Sequence, residues 1–183
     1  HIGRLDRILE ALLAQGLVRP AHVAFFEPVD RGAEYRFSQA YRAFVTDEAT
    51  PFVERHVATS GERVLLGASL GGLVSAWIAM TTPRFARTVA AQSGAFLIGP
   101  GDDPRDPYRG SEWLVRTLGE GPQVPLRWIL ECGTLEWLTP VNRRLFAHLT
   151  RAGADVRYVE RHAGHNWVNW RNGLPDLLRY DLR

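Results

Sequence analysis

The sequence predicts an α/β fold built on a mostly parallel sheet with helices on both faces, and three observations carry the prediction. Short apolar or alternating runs of strand type alternate five times with stretches of helical periodicity, the pattern that parallel crossovers produce. Gly67-Ala68-Ser69-Leu70-Gly71, followed by Gly72, joins a strand-like run at 62–66 directly to a helix-like run at 73–80, placing a serine at a sharp strand-to-helix turn. The chain has 183 residues, 45% of them hydrophobic and 10% aromatic, enough for one domain with a real core.

The elements follow in order. Leu5, Ile8, Leu9, Leu12 and Leu13 recur at helical spacing between Arg4 and Gln15, and Gly16 stops that amphipathic helix. After Pro20, Ala21-His22-Val23-Ala24-Phe25-Phe26 reads as a buried strand, and 27–32 as the loop leaving it. A long helical pattern covers Ser38 to Val57, with Pro51 as a kink or a break between two helices. The strand to Leu66, the serine turn and a helix ending near Thr82-Pro83 come next. Arg87 to Ser93 is a strand stopped by Gly94. A Gly-, Pro- and Asp-rich loop fills 99–110, and Ser111 is placed to cap a helix to Leu118. Leu126 to Cys132 is a strand, and Thr139-Pro140 opens a helix ending near Ala152-Gly153. Asp155 to Glu160 alternates as a strand, 162–167 is a loop, and a last helix carries Leu174, Leu177 and Leu178. A single domain over 1–183 is expected, without repeats or linkers.

Charge and cysteine usage exclude several classes. All 22 basic residues are arginines, interspersed with 20 acids for a net charge of +2, so there is no nucleic-acid footprint. The absence of lysine fits a GC-rich coding bias better than an anion-binding surface. Cys132 is the one cysteine, which excludes an intrachain disulfide and fits a reducing, cytoplasmic setting. No apolar run reaches the roughly eighteen residues of a membrane span, and no signal-peptide core opens the chain. Asp102, Asp103 and Asp106 lack a nearby histidine and read as a solvated acidic loop rather than a metal cluster.

In this class of sheet, reactive groups sit on loops at the carboxyl ends of strands. Three such loops carry Ser69, Glu136 and His165, in the order serine, acid, histidine expected of an α/β-hydrolase. Ser69 is the predicted nucleophile, the competing reading being a Gly-rich turn with an idle serine. His165 lies in Ala163-Gly164-His165-Asn166-Trp167 as the predicted base, with a helix-capping role as its competitor and His162 as the fallback. Glu136 would hold the imidazole tautomer and stabilise the imidazolium. Glu131 competes for that task, but it lies within a strand where its side chain is less free to reach.

Four segments together carry a family resemblance: Gly67 to Leu73, Ala91-Gln92-Ser93-Gly94, Glu131-Cys132-Gly133-Thr134-Leu135-Glu136, and Gly164-His165 with Trp170-Arg171-Asn172-Gly173-Leu174. They resemble the esterase-D group of α/β-hydrolases, and the ending is similar to its enterochelin (enterobactin) esterase branch. The resemblance covers nearly the whole chain. It implies a Ser69–His165–Glu136 triad, an oxyanion donor at the Leu70 N–H, and no metal or organic cofactor. It also implies a small ester as partner, foremost a catecholate siderophore trilactone or its iron complex, with Arg171, Trp137 and Phe96 as candidate substrate-binding residues; Arg171 could equally be structural, and the two aromatics core. The alternatives are a general carboxylesterase for small acyl or carbohydrate esters and a silent binding module of the same fold. The group's second oxyanion donor comes from the loop before its first helix. With the first helix here at about Arg4, the upstream strands and that donor are expected to lie outside this chain.

Overall fold

A computed structural model describes residues 3–106, 108–120 and 125–182. Four parallel strands form one sheet in the order β1-β2-β3-β4: β1 Val64–Ala68, β2 Thr88–Gln92, β3 Arg127–Gly133 and β4 Val156–Arg161. Gly67 pairs with Ala91, Ala91 with Leu130, and Leu130 with Tyr158, so all four carboxyl ends reach the same edge. Among the described residues the α-helices are α1 Leu5–Ala14, α2 Arg31–Glu34, α3 Gln39–Ala43, α4 Thr50–Glu54, α5 Leu70–Thr81, α6 Trp113–Glu120, α7 Thr139–Arg151 and α8 Trp167–Asp181.

Period-two alternation in the central strands sorts the helices onto two faces. Val89, Ala91, Trp128, Leu130 and Cys132 turn to one side, where Leu73 and Ala76 of α5, Leu114 and Leu118 of α6, and Val141, Leu145 and Leu149 of α7 cover them. Ala90 and Ile129 turn to the other, against Leu9 and Leu12 of α1 and Leu177 and Leu178 of α8. β2 is buried along its whole length, as a central parallel strand must be. A third cluster joins Tyr41 and Val45 to Val74, Trp77 and Ile78 on the outer side of α5.

The predicted strand Ala21–Phe26 is absent. The segment is extended but carries no ladder, with Phe25 61% exposed. Among its polar contacts are His22 Nε2 at 3.2 Å from the Ala58 carbonyl and the Tyr35 hydroxyl donating to the Phe26 carbonyl. A strand needs a partner strand to saturate its backbone, and among the described residues no strand pairs along the outer edge of β1. The loop predicted from 27 is cut short by α2, whose cap is the Asp30 carboxylate accepting from the Ala33 N–H.

The kink or break expected at Pro51 takes the form of a π-helical segment, Phe44–Ala49, running continuously between α3 and α4; the Thr50 N–H reaches the Val45 carbonyl, and Pro51 follows as the second residue of α4. Ser111 does not cap α6. Its hydroxyl and N–H both go to Asp102 Oδ2, which also accepts from the Gly99 N–H. Asp102 is therefore the clasp of the 99–111 loop rather than a solvated acid: burial alone would raise its carboxyl, but these hydrogen bonds outweigh it and hold it below the usual value. Among the described residues no group of three His, Cys, Asp or Glu side chains is placed to hold a metal ion, and no helix is long and apolar enough to cross a membrane.

Candidate active site

Ser69 sits between the last residue of β1 and the first of α5 with φ 57° and ψ −121°, a conformation costing roughly 1–3 kcal/mol for a residue with a Cβ. Both sides of its backbone are tied down. Its N–H donates to the Gln92 carbonyl at 2.9 Å, and its carbonyl accepts from the N–H groups of Leu73 and Ala95, each at 3.1 Å. Glycine is required at 67, because a Cβ there would strike the Gly71 carbonyl group as strand and helix cross. Leu70 opens α5, so its N–H belongs to the first turn, where the helix itself supplies no acceptor.

Glu136 and His165 meet at the carboxyl ends of β3 and β4. The Glu136 carboxylate is enclosed, and its Oε2 lies 2.7 Å from His165 Nδ1. Oε1 accepts from the Gly133 N–H at 2.6 Å, the Ser93 hydroxyl at 2.7 Å and Asn169 Nδ2 at 3.2 Å. Burial pushes this carboxyl up, but the hydrogen bonds from His165, Ser93 and Gly133 together outweigh it, and the group lies below the ordinary glutamate value. An ionised Glu136 fixes the proton of His165 on Nδ1 and leaves Nε2 able to accept one. Trp137 and Trp170 flank the imidazole at 4.6 and 5.0 Å between ring centres. Asn166 caps α8 through the N–H groups of Val168 and Asn169, which sets the loop that delivers His165. Among the described residues no hydrogen bond joins Ser69 Oγ to His165, whose Nδ1 is engaged with Glu136.

The competing residues have other tasks. Glu131 follows the strand alternation onto the α8 face, where it pairs with Arg161 at 3.1 Å and accepts from Gln92 Nε2 at 2.8 Å. Gln92 also donates to the Trp170 carbonyl, and Arg161 reaches Asp176, so β2, β3 and β4 are laced to α8 beneath the site. His162 is engaged with the Thr134 hydroxyl at 3.3 Å instead of with Glu136.

Of the three predicted substrate contacts, Trp137 both packs against the imidazole and lines a cavity. It is 45% exposed, meets Tyr108 edge-on at 5.8 Å, and lines a hollow of about 390 Å³ with Arg109, Arg144 and Glu112. Of the two places open to Phe96, pocket wall and core, the structure puts it in the core: it is wholly enclosed, its ring packed into the space that a side chain on residue 94 would fill. Arg171 is half-buried and lines neither this hollow nor the one of about 500 Å³ behind the histidine loop. Sequence reasoning missed Ser93, Asn169 and Trp170 around Glu136, and Tyr108 and Arg109 beside Trp137. For Ser93 a signal existed, since it follows a strand at the same edge as Ser69.

The Esterase family model, whose description is "Putative esterase", matches residues 19–180. The chain is 30% identical to the iron(III) enterobactin esterase of Dickeya dadantii strain 3937, over 95% of this chain and 43% of that one. Against the protein of the same name from Escherichia coli strain K12 it is 26% identical, over 93% and 44%. The chain thus spans less than half the length of these curated relatives. Among solved structures, the enterobactin esterase FES of Shigella flexneri superposes with a TM-score of 0.82 at 25% identity, covering 94% of this chain and 47% of that one. A ferulic acid esterase shares the fold at a TM-score of 0.78 and 20% identity, over 100% and 78%. With its parallel sheet flanked by helices, its serine turn and a match along nearly its whole length, this chain belongs to the Esterase family and has the α/β-hydrolase fold.

Proposed function

We propose that this chain carries the chemistry of a serine esterase in which Ser69 is the nucleophile, His165 the general base and acid, and Glu136 the orienting carboxylate. The observation that carries the reading is the enclosed Glu136–His165 contact of 2.7 Å at the same sheet edge as a serine held at φ 57°. Ser69 Oγ attacks the ester carbonyl while Nε2 of His165 takes its proton. The negative oxygen is stabilised by the Leu70 N–H, and one such donor contributes on the order of 3 kcal/mol to the barrier reduction. His165 then protonates the leaving alcohol and activates the water that frees the acid from Ser69.

For substrate, we propose a catecholate siderophore ester of the enterobactin type. Two relatives carry the name iron(III) enterobactin esterase. The hollow lined by Trp137, whose ring also packs against His165, offers the Tyr108–Trp137 pair for an aromatic ring and Arg109 for an anion. The test is a comparison of the full-length protein with Ser69→Ala on apo and ferric trilactone and on p-nitrophenyl acetate, following products by chromatography. Opening of the trilactone that disappears in Ser69→Ala supports the reading. An intact trilactone with Ser69-dependent cleavage of the simple ester replaces the siderophore with a general ester, and activity surviving in Ser69→Ala overturns the triad.

A further inference from the structure

Ser93 and Trp170 lie outside the proposed triad, yet both lead to it. Ser93 is fully buried at the carboxyl end of β2, with φ 50°. Its hydroxyl accepts from the Trp170 indole N–H at 2.9 Å and donates to Glu136 Oε1 at 2.7 Å. The same indole stands edge-on to His165, its plane turned 89° from the imidazole.

We propose that Trp170 and Ser93 form a two-link hydrogen-bond chain that aims the Glu136 carboxylate at His165, making both of them positioning residues for the ester-cleaving reaction. The inference rests on the triad reading above. Its direction follows from donor chemistry. An indole N–H can only donate, so it occupies a lone pair of Ser93 Oγ, and the one hydroxyl proton is left to point at Glu136. A serine without that neighbour could turn its proton to a backbone carbonyl and leave the carboxylate one donor short. The chain also polarises along its length, each link strengthening the next.

Geometry makes the aim specific. Oε1 is held by Gly133 from β3, Ser93 from β2 and Asn169 from α8, so the remaining oxygen, Oε2, has one orientation, toward Nδ1 of His165. Trp170 adds a second tie from α8 and braces the imidazole ring itself. A tryptophan buried only for its packing would need neither its N–H on Ser93 nor its edge on His165.

Trp170→Phe keeps an aromatic ring and deletes the donor; Ser93→Ala deletes the middle link; the double variant deletes both. Each is assayed on p-nitrophenyl butyrate with active sites counted by organophosphonate labelling, so that kcat refers to folded enzyme even where a variant is partly unfolded. Each single variant should lower kcat about tenfold with KM within about twofold, and the double variant should be no slower than Ser93→Ala, because one chain is cut twice. A wild-type kcat in Trp170→Phe, effects that multiply in the double variant, or a loss confined to KM overturns the proposal. Ser69→Ala and Glu136→Gln run beside them. If those two are inactive while Trp170→Phe is normal, only the positioning chain fails; if Ser69→Ala stays active, the triad reading itself fails.

Discussion

Replacing Gly173 with alanine should destabilise the protein, against the ordinary preference of a helix. Alanine in a helix interior is favoured over glycine by about 1 kcal/mol. Here, however, the new Cβ would collide with Glu131 Oε2 and lie 2.9 Å from both Arg161 Nη1 and Gln92 Nε2. Either α8 lifts from the sheet or Glu131 leaves its partners. Glu131 is almost fully buried and Arg161 is 20% exposed, and uncoupling such a pair costs about 3–5 kcal/mol. The difference is a net loss of about 2–4 kcal/mol, which for a chain of this size lowers the melting temperature by roughly 5–15 °C. Thermal unfolding followed by circular dichroism measures it. The variant Gly173→Ala/Glu131→Ala should lose less than the two single losses summed, because removing the carboxylate opens the space. A Gly173→Ala protein as stable as wild type, or stabler, would refute the reasoning, since helix preference would then outweigh the contact.

Ser69→Gly should be more stable than Ser69→Ala by about 1 kcal/mol or more, although both should be inactive, because glycine alone is relaxed at φ 57°; urea unfolding of the pair checks the order. Glu136→Gln should lower kcat by about three to four orders of magnitude, measured on p-nitrophenyl butyrate. The same variant should change the acid limb of stability. Glu136 has a lowered folded value, so its stabilising contribution is complete above the ordinary value of 4.5 and drains away as pH falls through the folded one; wild type should therefore lose stability more steeply than Glu136→Gln below about pH 4.5 in urea titrations at stepped pH. Arg109→Gln should raise KM for an anionic catecholate ester about tenfold and leave KM for a neutral acetyl ester within about twofold; initial-rate kinetics on the two esters separates the charge effect from a general loss.

The central sheet was legible because β2 and β3 are dense apolar runs, and because the serine turn needs its glycines at fixed offsets. The Ala21–Phe26 segment looked the same locally and is not a strand, because pairing is decided by a neighbour far away in sequence. Pro51 marked a kink or a break between two helices, but not its form: a π-helical stretch, whose Val45 packs with Tyr41 against α5, separates α3 from α4. The choice of Glu136 over Glu131 rested on loop against strand. In the structure, alternation through Trp128, Leu130 and Cys132 sends Glu131 to the opposite face, where it pairs with Arg161, and it is Glu136 that meets His165. Phe96 stayed open between pocket wall and core because proximity to a motif says nothing of which way a ring packs; it is in the core. The Trp170–Ser93 link was invisible, since a hydrogen bond between residues 77 positions apart leaves no periodic trace.

The anchors of Glu136 have a temporal meaning as well. Gly133, Ser93, Asn169 and His165 come from four different segments, and none of the strands or helices bearing them can complete the carboxylate's surroundings alone. Helices such as α5 and α7 draw on local contacts and form early in refolding, whereas these long-range bonds wait until β2, β3 and α8 have docked. After dilution from denaturant, helical signal should therefore return ahead of ester cleavage, and the interval between them times the final closure of the sheet onto its last helix.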